Sequence, residues 1–112
     1  MMMKKYWQVL LVSLMVFPSF ATTMSNVKIT TLMMDKSHGN LLFIKTDKTH
    51  TSGSPDCYAS SWSFVFQLDG TLADKMYSAL LAAKTTNTTI TLVGSDSCEL
   101  YGGIETLRRL EL

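Results

Sequence analysis

The stretch Asp69–Asn87, DGTLADKMYSALLAAKTTN, decides the fold, because it is the one convincing amphipathic helix in the chain. Counted at about 100° per residue from Leu72, the side chains of Leu72, Met76, Ala79, Leu80 and Ala83 share an arc about 100° wide, the width of a core-facing stripe. Thr71 followed by Asp74 is an acidic form of the capping box, and Asp69-Gly70 supplies the turn before it. Asn87, set among threonines, ends the helix. Ala73, Tyr77 and Leu81 widen the apolar arc to about 180°, more than one small core covers. Those three residues are therefore expected either under a neighbouring loop or at a subunit interface.

Working outward, the flanks read as strands. Upstream, Val27–Met34 places Val27, Ile29, Thr31 and Met33 on one face, and Leu41–Thr46 follows a turn of composition Asp35–Asn40, which together predict a hairpin. Asp47–Asp56 is a polar loop with Gly53 and Pro55. Ser61–Asp69 alternates, with Trp62, Phe64, Phe66 and Leu68 on one side and Val65 alone breaking the polar side. Downstream, Thr88–Gly94 gives a fourth strand with Ile90 and Leu92 inward. Ile104–Leu112 gives a fifth, whose broken parity calls for a bulge near Thr106–Arg108. The expected class is mainly β with one helix (α+β). Its order of strand, strand, strand, helix, strand, strand is that of the five-stranded OB-fold barrel, with an open α+β sandwich as the rival.

Residues 1–21 read as a secretory signal peptide: Lys4 and Lys5 at the start, an apolar middle over Val9–Phe17, and Ser19-Phe20-Ala21 as the cleavage site. The apolar run is too short to span a membrane as a helix. Its removal leaves 91 of the 112 residues, 22–112, as a single domain. It also takes Lys+Arg from 10 to 8 against 9 Asp+Glu, so the net charge moves from +1 to −1. Such a surface is poor material for nucleic-acid binding. Arg108-Arg109 is expected on a solvated edge or paired with Glu105 or Glu111.

Two cysteines, Cys57 and Cys98, in an exported chain point to one disulfide, worth about 4 kcal/mol for a loop of this length. No CxxC is present, and His38 and His50 sit in polar turn-like segments without ligand spacing, so neither a metal nor a cofactor is expected. Nor is there a nucleophile elbow, a phosphate loop or HExxH, which argues against an enzyme. Pairing of the cysteines would bring Tyr58, Ser60 and Ser61 near Glu99 and Tyr101, an aromatic and hydroxyl set suited to a glycan.

Pro55-Asp56-Cys57, Phe64-Val65-Phe66, the run Met76–Ala83 (MYSALLAA), Val93–Cys98 (VGSDSC) and Ile104-Glu105 together resemble the small exported bacterial OB-fold proteins related to the B subunits of subtilase cytotoxin and typhoid toxin. The resemblance spans most of residues 41–112. It implies a periplasmic or secreted, non-catalytic module that binds glycans as a homopentamer, with an exported toxin A subunit as partner. The Thr22–Asn26 lead lacks the longer N-terminal segment of the toxin subunits, so no sugar-binding residue is carried over. The alternative is a stand-alone periplasmic accessory or inhibitor protein that binds another protein.

Overall fold

The computed structural model describes residues 22–50 and 54–112. The signal-peptide reading of 1–21 and the centre of the expected loop at 51–53 lie outside them. Among the described residues the fold is mainly β with one α-helix: β1 (Thr23–Val27), β2 (Ile29–Met34), β3 (Leu41–Thr46), β4 (Phe64–Gln67), α1 (Thr71–Thr86), β5 (Ile90–Gly94) and β6 (Leu107–Glu111). These strands form two antiparallel three-stranded sheets, ordered β1-β5-β6 and β2-β3-β4.

Six strands replace the expected five, because the first one breaks. Asn26 takes a left-handed backbone at φ 54°, and only Lys28 separates β1 from β2, which lie in different sheets. Asp47 holds this corner from both sides. Its carboxylate accepts from the Lys28 N–H at 2.9 Å, and its own N–H donates to the Lys28 carbonyl at 3.0 Å. The expected barrel closure is not complete either. Between β4 and β6 the described residues give one parallel bridge, Val65–Thr106, and no continuing ladder.

The β2–β3 hairpin forms around a 3-10 turn, Lys36–His38, whose first residues are capped by the Asp35 carboxylate. The β5–β6 ladder skips Arg108, pairing Val93 with Arg109 and Gly94 with Leu107. This bulge puts Leu107 and Leu110 on the same face, as the parity required. Phe64 and Phe66 join Leu42, Ile44, Ile90 and Leu92 in the main core. Val65, the residue that broke the alternation, is fully buried in a second cluster with Phe43 and Ile104 on the other face of the sheet. Trp62 and Leu100 pack over that cluster.

Helix α1 ends as expected on Asn87, left-handed at φ 57°, with its N–H turned back to the last carbonyls. At the other end Gly70 occupies the cap position and no side chain caps it, so the Thr71–Asp74 capping box does not form. The buried face is also rotated from the expected stripe. Ala73, Leu80 and Ala83 are buried with Met76 and Tyr77 half-buried, while Leu72 is 70% exposed. Small residues at 73 and 83 admit close packing on the core, and turning the bulkier Leu72 inward would not. Of the three residues expected at an interface, Ala73 and Tyr77 are thus turned to the chain's own core, and Leu81 stays open at 41%. Thermal or urea unfolding checks the rotation: Leu80→Ala should cost about 3 kcal/mol, and Leu72→Ala within about 0.5 kcal/mol of zero.

Candidate binding site

Cys57 and Cys98 form the disulfide, with Cα atoms 6.1 Å apart. It ties together two segments that lie over the outer face of β3 and β4, and an Ala59 N–H to Gly103 carbonyl bond of 2.8 Å joins them again. Gly103 takes φ 87° there, a backbone that favours glycine.

The first segment shapes a polar cavity of about 230 Å³ between the end of β3 and the residues before β4. Tyr58, Ser60 and Ser61, three of the five candidate ligand-binding residues, line it together with Thr46–His50 and Ser63. The other two expected residues lie elsewhere. Tyr101 packs edge-on against Phe43 and His38, with centroids 5.1 and 5.3 Å away, and Glu99 lines a groove beside α1. The disulfide therefore joins the backbones of the two segments, while their side chains serve different surfaces.

Hydrogen bonding fixes what the cavity offers. Thr46 Oγ1 donates to the Lys48 carbonyl at 2.7 Å, so its 2.8 Å contact with Ser63 Oγ makes Ser63 the donor. Ser60 Oγ accepts from the Trp62 N–H at 3.1 Å and keeps its own proton for another partner. One oxygen of Asp47 is held by Lys28, leaving the second as an acceptor. Hydroxyl donors and a carboxylate acceptor thus converge on one small space.

Its wall is a buried polar assembly that the sequence reading missed. His50, expected as a solvated turn residue, is 2% exposed, and its Nε2 lies 2.7 Å from Glu105 Oε1. The Tyr58 ring stacks on His50 with centroids 3.8 Å apart, and the Tyr58 hydroxyl shares its proton between the Ser60 and Trp62 carbonyls at 2.8 and 2.7 Å. The second Glu105 oxygen accepts from the Asp96 N–H at 2.9 Å. Glu105 thus pairs with His50 and not with the arginines; Arg109 instead meets Glu111 at 3.0 Å. The one available signal was a glutamate set between Ile104 and Leu107 in a strand candidate, where a buried charge needs a partner.

Gly94 makes room for that carboxylate. A Cβ at position 94 would overlap Glu105 Oε2 and Cδ, each 2.1 Å away. Gly94→Ala should therefore cost about 3 kcal/mol in the parent and much less in a Glu105→Ala background, a non-additivity that urea unfolding of the four proteins reads directly.

Burial, and secondarily the nearby Glu105 charge, raises the pKa of the Tyr58 phenol above its ordinary value. The folded chain then holds the proton more tightly than the unfolded one, so this contribution is intact below pH about 10 and is lost as pH rises beyond it. Tyr58→Phe should remove that part of the alkaline decline in a stability-versus-pH series.

Among the described residues, no group of three or more metal-ligating side chains gathers, and no helix is long and apolar enough to cross a membrane. Compared with protein-family models, with curated proteins and with solved structures, the chain finds no match in any of the three, and the resemblance to toxin B subunits rests on the residues quoted for it.

Proposed function

We propose that this chain is an exported, non-catalytic OB-fold module that binds glycans through the Thr46–Ser63 cavity and assembles into a homo-oligomeric ring. Taken as two halves of one bent strand, β1 and β2 restore a five-stranded order, and that strand pairs with both sheets. The parallel Val65–Thr106 bridge lies between what are then strands three and five, where such a barrel would close. These features support an OB-fold whose barrel stays split.

The observation that carries the binding reading is the convergence of Ser60, Ser61, Thr49 and Asp47 on a small cavity backed by the stacked His50–Tyr58 pair. Short hydroxyls and one carboxylate match the donor and acceptor pattern of vicinal sugar hydroxyls, and a rigid wall keeps them in place. The histidine at this wall directs Nε2 to Glu105 and has no exposed side-chain surface, so it is badly placed to activate a nucleophile. Free edges on both sheets and the exposed Leu72 and Leu81 favour assembly of several copies.

A glycan array with the purified protein should give signal that falls at least about tenfold in Ser60→Ala and Asp47→Asn variants, with folding retained by circular dichroism. Sedimentation should give a ring mass, with five copies expected from the resemblance. Unchanged array signal in both variants would overturn the cavity, and a clean monomer at tens of micromolar would overturn the ring.

A further inference from the structure

We infer that the cavity between Thr46 and Ser63 takes a single uncharged hexose ring at the end of a glycan and turns away sugars that carry a carboxylate or sulfate. The inference rests on the glycan reading of this cavity and adds to it the class of sugar.

Size sets the first limit. At about 230 Å³ the space is smaller than the roughly 300–1,000 Å³ taken up by drug-sized ligands, so one ring fills it. A second linked ring would stand in solvent. A terminal ring gives up only its anomeric position to linkage and keeps its other hydroxyls for hydrogen bonds.

Hydrogen bonding sets the second limit. The Thr46 hydroxyl proton goes to the Lys48 carbonyl, and that of Ser63 goes to Thr46. Ser60 accepts from the Trp62 N–H and so presents its own proton. Asp47, with one oxygen on the Lys28 N–H, presents the other. A sugar hydroxyl meets both needs, because it can accept from Ser60 and donate to Asp47. A carboxylate or sulfate only accepts, so it would leave the Asp47 oxygen without a donor and set a like charge beside it.

Charge sets the third limit. Asp47 and Lys48 are the formal charges on the exposed rim of the cavity, and they cancel. The Lys48 ammonium is also engaged, donating to the Ser25 carbonyl of β1 at 3.3 Å. Behind this rim the His50 and Glu105 side chains meet each other and have no exposed surface. An anionic sugar would therefore lose water without an uncommitted cation among the lining residues to receive it, which is unfavourable. A neutral ring loses nothing by that balance.

The test compares, on the full purified chain, the methyl glycosides of glucose, galactose and mannose with their matching uronosides, in which a carboxylate replaces the terminal hydroxymethyl group. Ligand-observed NMR titration should show at least one hexoside saturating with a Kd of about 1–10 mM, and its uronoside binding at least about tenfold more weakly. Asp47→Asn keeps an oxygen for the Lys28 N–H and removes the charge, so it should narrow that gap to about threefold or less. A uronoside that binds the parent protein as well as its hexoside would overturn the exclusion of anions, and this comparison needs no variant to fold. A gap unchanged in a folded Asp47→Asn variant would overturn the part assigned to Asp47. Array signal from longer glycans, with no hexoside saturating at about 50 mM, would overturn the single ring. In these three cases the glycan reading stands, whereas a glycan array blank for every sugar would remove that reading and this inference with it.

Discussion

Both faces of the β3–β4 pair are apolar, and a single helix can cover only one of them. Leu42, Ile44, Phe64 and Phe66 turn to α1 and the other sheet, while Phe43 and Val65 turn the opposite way. A sheet buried on two sides needs a second cover, and no second α-helix among the described residues provides it. The cover is made of two irregular segments, one carrying Tyr58 and Trp62 and the other Leu100 and Ile104. Irregular chain lacks its own ladder, so the Cys57–Cys98 bond and the Ala59–Gly103 hydrogen bond hold it down. The polar cavity lined by Thr46 and Ser63 is a by-product of this arrangement, since it opens where the first of these segments turns back into β4.

Where the cover rejoins the sheets, Glu105 gathers four pieces of chain. Its carboxylate binds the His50 ring and the Asp96 amide, and its carbonyl accepts from Val65. A carboxylate removed from water is costly unless its oxygens are all occupied, and here each has a donor. The assembly therefore ties the loop that lines the cavity to the end of β5 and the start of β6.

Much of the architecture was legible in the sequence because it follows from local rules. Helix length, its Asn87 stop, the β2–β3 hairpin, the bulge at Arg108 and the cysteine pairing all needed only periodicity, turn chemistry or counting. The failures share a cause, which is dependence on distant chain. Which face of α1 is buried turns on how closely the core approaches Ala73 and Ala83, and periodicity alone could not choose between neighbouring stripes. The unbroken run Leu41–Ile44 did signal a strand buried on both faces, yet the clean alternation around Phe64 pointed to a polar outer side. For the site, proximity along the chain put Tyr58, Ser60 and Ser61 around one cavity, whereas Glu99 and Tyr101 depended on side-chain directions that a disulfide does not set. His50 looked solvated because its partner lies 55 positions away.

The missing side chain at Gly94 has a historical consequence. Any larger residue there collides with the carboxylate opposite, so lineages descending from this sequence change that position at less cost after the glutamate has been replaced by something shorter. Once the vacated volume is filled, restoring the acid would first require returning position 94 to glycine. The two sites are consequently coupled, and the less costly route between their states replaces the acid before the glycine.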